Sequence, residues 1–183
     1  MLITVVGFVA FLVALYVIVT YNGFVTLRNR GQNAWADIDV QLKRRHDLVP
    51  NLVETVKGYA GHERGVFENV TKLRSEAMQA QTPEGRGQAE NMLTGALKSL
   101  FAVAENYPQL KADQNFRELQ TQLAALEDQI QMSRRYYNAV VRDLNTKREM
   151  FPSSVVAGWF GIQAMEYFQI EDESEREPVQ VSF

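Results

Sequence analysis

The chain has 183 residues, and 19 Lys and Arg against 22 Asp and Glu give it a net charge of −3. This acidic balance, without a basic stripe, argues against a nucleic-acid-binding protein. The chain has no Cys, which excludes disulfides, thiol nucleophiles and Cys-ligated zinc. About 160 residues follow the apolar N-terminal stretch, enough for one modest domain.

The N-terminal stretch from Leu2 to Val19 is uncharged and reads LITVVGFVAFLVALYVIV. Such a run is about long enough to cross a hydrocarbon core of roughly 30 Å as a helix. A cleaved signal peptide would need a basic start and a small-residue cleavage site, and neither is present. A buried core helix, the other alternative, is rarely apolar on every face. The sequence therefore predicts an uncleaved transmembrane anchor over residues 1–21.

Basic residues follow this anchor closely, at Arg28, Arg30 and the run 43–45, while none precedes it. The positive-inside rule then predicts a single-pass protein of the cell membrane with its N-terminus outside and its domain in the cytoplasm. A periplasmic domain is the alternative. Arg28 and Arg30 are also candidates for lipid-headgroup contact, at about 1 kcal/mol per charge, although they also fit an ordinary positive flank.

Three helical patterns follow the anchor. The first carries apolar residues from Leu27 to Leu42 at spacings of four and seven, and the sequence HDLVP at 46–50 then predicts a kink or short break. The second continues to Ala77 and ends in a breaker-rich polar stretch, 81–87, which predicts a loop. The third runs from Met92 to Ala104 and stops before Pro108.

The fourth pattern is the most regular, because apolar positions alternate spacings of three and four from Phe116 to Phe151. A repeat of 3.5 residues predicts a long helix packed along a coiled-coil-like seam. Asp113 is its expected N-cap, and Pro152 its end. The sequence thus predicts an all-α fold: an N-terminal transmembrane helix followed by an antiparallel helical bundle over residues 22–151 with one long heptad-patterned helix.

The C-terminal part changes character after the bundle. The apolar aromatic segment 152–170 is expected either to cover the core or to contact the membrane interface through Trp159 and Phe160. An acidic tail, 171–183, ends in a strand-like alternation that could dock on a partner or on its own bundle. The candidate docking residues of this tail are Val179, Val181 and Phe183.

Long stretches of the chain carry a family resemblance. They read YNGFVTLRNRGQNAWADIDVQLKRRHDLVPNLVETVKGYAGHE from Tyr21, ENMLTGALKSLFAVAENYPQLKADQNFRELQTQL from Glu90, RRYYNAVVRDLNTKREMFPSSVVAGWFG from Arg134 and, at the end, PVQVSF. With these stretches the sequence resembles the LemA family. The resemblance implies one N-terminal membrane helix, a helical bundle, and a largely unassigned role in the bacterial inner membrane. The resemblance also implies that some genes of the family lie near those of HtpX-type metalloproteases or TPM-domain proteins, and hence a role in protein quality control in the envelope.

Candidate chemical groups are few. His46 and His62 lie sixteen residues apart, so neither completes an H-E-x-x-H pair, and we expect them to make capping or surface polar contacts. The run 43–47 could form salt bridges between bundle helices. Ser153 and Ser154 lack the G-x-S-x-G nucleophile elbow. We expect no metal, cofactor or catalytic site.

A face of small residues, Gly7, Ala10 and Ala14, falls on one side of the anchor, where small-xxx-small spacing allows close helix approach. The leading functional hypothesis is a non-enzymatic membrane adaptor or scaffold. Its expected partners are lipid and another protein, such as a membrane protease system. A structural membrane homo-oligomer is the alternative, and a membrane-bound enzyme is the third.

Overall fold

A computed structural model describes residues 1–169, and its secondary structure is helical without a β-strand in that range. The expected all-α fold is therefore confirmed. The helices are α1 (Leu2–Lys57), α2 (Arg64–Gln79), α3 (Pro83–Glu105), α4 (Pro108–Ala112), α5 (Gln114–Glu149) and α6 (Ser153–Trp159).

The helix α1 continues through Pro50, so the predicted break at this position is wrong. Proline has no N–H to donate to the carbonyl of His46, one turn earlier. That carbonyl accepts instead from Nε of Arg74 on α2, at 2.6 Å. The helix consequently runs on to Lys57, and the break lies in residues 58–63, a short connection with two glycines.

The helix α3 begins at Pro83, so most of the loop expected at 81–87 is helical. The Oγ1 of Thr82 accepts a hydrogen bond from the backbone N–H of Gly85 at 3.1 Å, and proline occupies the first helical turn. Both features favour a helix start, because early N–H groups have no partner within the helix. Gly87 is buried, and a Cβ there would overlap the carbonyl oxygen of Gln169.

The described chain divides into two compact units, to which α1 and α5 both contribute. We call residues 38–132 with 168–169 the bundle unit. Its core is built by apolar side chains from the later part of α1, from α2 to α4 and from the start of α5. Fully buried examples are Leu42, Leu52, Leu93, Leu100 and Leu110. Asp113 accepts from the N–H of Phe116 at 2.9 Å, which is the expected cap of α5.

The other unit, residues 1–37 with 133–167, is called the anchor unit. In it, the early part of α1 packs against the later part of α5, which runs in the opposite direction. The ring of Trp35 lies 5.4 Å from that of Tyr137, and Nζ of Lys147 lies 5.0 Å from the ring centre of Phe24. Most of the heptad positions of α5 are buried, whereas Phe151 lies past the helix end and is exposed.

An irregular segment, residues 160–167, is held against α5 by side chains that bond its backbone. Tyr137 donates to the carbonyl of Glu166 at 2.8 Å, and Asn145 exchanges two hydrogen bonds with Met165. Burial raises the pKa of Tyr137 to about 12, with a further contribution from the Glu166 carboxylate, so the phenol remains a donor at neutral pH. Met165 also lies where a larger residue at Gly31 would place its Cβ.

Candidate membrane-facing surface and buried ion cluster

The apolar part of α1 carries a stretch with the length and composition of a membrane span. Its most apolar 18-residue window has a mean hydropathy of 2.9, and none of that window is buried by the rest of the described chain. Gly7, Ala10 and Ala14 are exposed within it, and nothing lies within 4 Å of a Cβ placed on Gly7. Self-association through this face stays a prediction.

The basic residues that follow the span, Arg28 and Arg30, are both exposed on α1. Arg28 lines a cavity of about 210 Å³ in the anchor unit, with Tyr21, Phe24 and Phe160 among the other lining residues. The rings of Tyr21 and Phe160 are 4.6 Å apart. The cavity therefore combines aromatic walls with one cationic side chain, two turns of helix beyond the end of the apolar run.

The short helix α6 buries one side and exposes the other. Val156, Ala157 and Ser153 face inward, whereas Trp159 and Phe160, the expected interface residues, are 71% and 50% exposed. The segment thus contributes to the core and also presents aromatic rings outward. Lipid contact by these rings remains a prediction.

A cluster of charged groups is enclosed in the bundle unit. Arg45 on α1 is 1% exposed, and its guanidinium contacts three side chains from two other helices. It pairs with Glu90 on α3, donates to Glu127 on α5 at 2.7 Å and donates to Thr94 on α3 at 3.2 Å. The adjacent His46 places Nε2 2.8 Å from Oε1 of Glu90, although the contact is not aligned as a hydrogen bond.

This arrangement keeps Glu90 ionised although the residue is completely buried. Burial raises the pKa of its carboxyl group, but contact with His46 and the positive charge of Arg45 outweigh that effect and lower it overall. An enclosed carboxylate would be costly without such partners. Arg45 therefore joins Glu90 and Glu127 in an interhelical ion network, which His46 contacts through Glu90.

The outcome for the two histidines differs from the expectation of surface contacts. His62 is exposed, but His46 is 2% exposed and belongs to the ion cluster, so a surface role for it is wrong. Arg45 forms the interhelical salt bridges considered for the run 43–47. Among residues 1–169, His, Asp and Glu side chains form no group of three or more with the geometry of a metal site. Ser153 is buried and donates to the carbonyl of Lys147 at 2.6 Å.

The sequence contains a signal for this cluster in the spacing of its charged residues, although these residues match no ligand or catalytic motif. Arg45 lies three residues after Leu42 and four before Val49, in phase with the buried face of α1, and Glu90 precedes Leu93 with the same phase on α3. Charged residues at core positions of two facing helices indicate an internal ion pair. The candidate docking residues Val179, Val181 and Phe183 lie outside the described residues.

Comparisons with known proteins agree with this architecture. A family model described as the LemA family matches residues 34–183. The chain is similar to magnetosome protein MamQ 2 of Paramagnetospirillum magneticum, at 28% identity over 92% of this chain and 71% of the relative. It is 27% identical to magnetosome protein MamQ of Magnetospirillum gryphiswaldense, over 91% of this chain and 70% of the relative. It is 28% identical to protein LemA of Metamycoplasma hominis, over 82% of this chain and 69% of the relative. The chain belongs to the LemA family.

Proposed function

We propose that this protein is a non-enzymatic single-pass membrane adaptor, which tethers its bundle unit to a bilayer and binds a protein partner there. The observation that carries the proposal is that no residue in the apolar window of α1 is buried by the described chain, because such an apolar surface is stable only in lipid or against another protein. The relatives named as magnetosome proteins support a role at an organised cellular structure.

The ion cluster of the bundle unit supports a non-catalytic role. Arg45, His46 and Glu90 are each at most 2% exposed, and their charged groups are directed at one another, although Arg45 also lines a cavity of about 190 Å³ with Thr94 and Glu127. Titratable groups arranged in this way hold helices together rather than perform chemistry on a ligand. The partner class implied by the family resemblance is a membrane protease system of the envelope.

The experiment is extraction of the full chain from its own membrane in a mild detergent, followed by crosslinking mass spectrometry. An adaptor should give crosslinks from the bundle unit to a defined second protein in stoichiometric yield. Recovery of self-crosslinks alone would refute the adaptor function and support the structural homo-oligomer.

The homo-oligomer is favoured by one observation, the exposed face of Gly7, Ala10 and Ala14. Enlarging it with Ala10→Leu and Ala14→Leu should abolish self-crosslinking within the membrane if that face brings two copies together. The matched control is Val5→Leu with Val9→Leu, which has the same spacing on the opposite side of the helix. Equal self-crosslinking by the two variants would reject the face.

We further propose that the N-terminus lies outside and the bundle unit in the cytoplasm, which the basic residues after the span support. Because the chain has no Cys, single cysteines report the topology directly. An impermeant maleimide applied to intact cells should label Leu2→Cys and leave Gln81→Cys unlabelled until lysis. The reverse pattern would refute the orientation.

A further inference from the structure

The outer face of α6 and its flanks is apolar. Phe151, Val155, Trp159 and Phe160 are exposed by 82%, 43%, 71% and 50%, whereas the polar Ser153 is 8% exposed and points inward. A helix that faces water on one side carries polar residues on that side. In α6 the inner side is also apolar at Val156 and Ala157, so apolar residues lie on both sides of the helix, which indicates that the outer face meets an apolar medium.

The packing of α5 on α1 places this face at the end of the membrane span. Trp35 on α1 lies opposite Tyr137 on α5, and Phe24 lies opposite Lys147, so the two helices advance past each other by about the same number of residues. If this register continues for four more residues, Phe151 lies opposite Thr20, directly after the apolar run.

The other end of α6 lies at the same height. Phe160 follows the helix, and its ring centre lies 4.6 Å from that of Tyr21, so both flanks of α6 are level with residues 20–21 of α1. A helix of seven residues is about 10 Å long. With both ends at one level, α6 lies across the direction of α1, which is parallel to the surface of a bilayer that α1 spans.

The direction of the outer face follows from the bond of Ser153. Its hydroxyl donates to the carbonyl of Lys147, near the end of α5, so the inner side of α6 faces α5 and the rest of the anchor unit. The opposite, apolar side is therefore turned toward the side from which Leu2–Val19 extends. Arg28 and Lys147 lie farther from the apolar run than this face does, where their positive charges could meet lipid headgroups.

We propose that α6 and its flanks lie in the interfacial layer of the bilayer that α1 spans, with Phe151, Val155 and Trp159 inserted among the lipids. The occupant of this face is lipid, because the face continues the lipid-exposed surface of α1 at the level where that surface ends. Aromatic residues are enriched at this depth in membrane proteins. The proposal rests on the membrane tether proposed above and adds a second, interfacial contact to it.

The test uses the two tryptophans of the full chain, reconstituted in vesicles of mixed zwitterionic and anionic lipids whose acyl chains carry bromine. Trp35→Phe leaves Trp159 as the single emitter, and Trp159→Phe leaves Trp35, about 24 Å along α1 from the apolar run. We expect Trp159 emission to be blue-shifted and to lose at least about twofold more intensity to the bromines than Trp35 emission does.

A third variant separates this proposal from the tether. Phe11→Trp, in a chain with both native tryptophans replaced by Phe, reports insertion of the span. If the fluorescence of the Phe11→Trp variant is quenched while Trp159 is quenched no more than Trp35, the interfacial placement is wrong and the membrane tether stands. If the fluorescence of the Phe11→Trp variant is not quenched, both proposals are wrong. Should either Trp35 variant misfold, Val155→Cys carrying an environment-sensitive fluorophore gives the same readout with the native tryptophans present.

Discussion

Replacement of Glu90 by Gln removes one charge from the buried ion cluster and leaves the size of the side chain unchanged. Glu90 is 0% exposed, and its carboxylate contacts both Arg45 and His46. Without that charge, the guanidinium of Arg45 keeps only Glu127 as an anionic partner. Breaking a buried ion pair by removing one partner typically costs about 3 to 5 kcal/mol, because the remaining charge stays in a medium that solvates it poorly. For a chain of this size, such a loss lowers the melting temperature by about 10 °C.

The matched control is Glu127→Gln, which alters the other carboxylate that contacts Arg45. Its side chain is 35% exposed, so water screens the pair and the expected loss is about 1 kcal/mol. Both variants are measured as the full chain in one detergent, by circular dichroism during thermal and urea unfolding. The reasoning is refuted if Glu90→Gln lowers the unfolding free energy no more than Glu127→Gln does.

Single contacts in the bundle unit make three further changes measurable. The pKa of Glu90 is about 4.5 in the unfolded chain and lower in the folded one, so the unfolded chain binds more protons between these two values. The free energy of unfolding should therefore fall as the pH drops below about 4.5. Glu90→Gln should make this fall less steep, and equal slopes in the two chains would contradict the lowered pKa. Thr82→Ala should cost about 1 kcal/mol in urea unfolding through loss of the α3 cap, whereas Thr121→Ala, whose hydroxyl bonds only within α5, should cost nothing. Arg74→Met should lower the free energy of unfolding by about 2 kcal/mol, because the carbonyl of His46 loses its donor. The same change should cost clearly less in a Pro50→Ala chain, in which the N–H of residue 50 can donate to that carbonyl. If the effects of the two substitutions are additive, this compensation does not occur.

The elements with a strong local signal could be predicted from the sequence. An uncharged run of 18 residues and a repeat sustained from Phe116 onward each specify a helix without any tertiary contact. Asp113 was recognisable as a cap for the same reason, because it bonds an N–H only three residues away. Such features depend on neighbours in the chain, which the sequence shows directly.

The errors arise where a distant residue changes the local outcome. Pro50 predicts a break, but Arg74 satisfies the carbonyl that proline leaves free, and nothing near Pro50 in the sequence announces that donor. The small-residue cluster at Gly85 and Gly87 reads as a loop, yet Thr82 caps a helix there and Gly87 admits the backbone of Gln169. The proposed placement of α6 at the membrane surface likewise rests on the packing of α5 on α1, because a short apolar sequence is equally compatible with a protein core and with a membrane surface.

The ion cluster and the apolar pattern of α1 together determine the register in which α1 packs against its neighbours in the bundle unit. Along a helix whose apolar positions recur at spacings of three and four, a slip of one turn against a neighbour keeps nearly every apolar contact, so hydrophobic burial alone specifies the register poorly. Within the bundle unit, a slip of α1 against α3 would separate Arg45 and His46 from Glu90 and leave buried charges without partners, at a cost of several kcal/mol. The cluster therefore favours one register of α1 against α3, even though buried ion pairs add little net stability over apolar packing. A fixed register keeps the exposed side chains of the bundle unit in constant positions, which the proposed adaptor function would require.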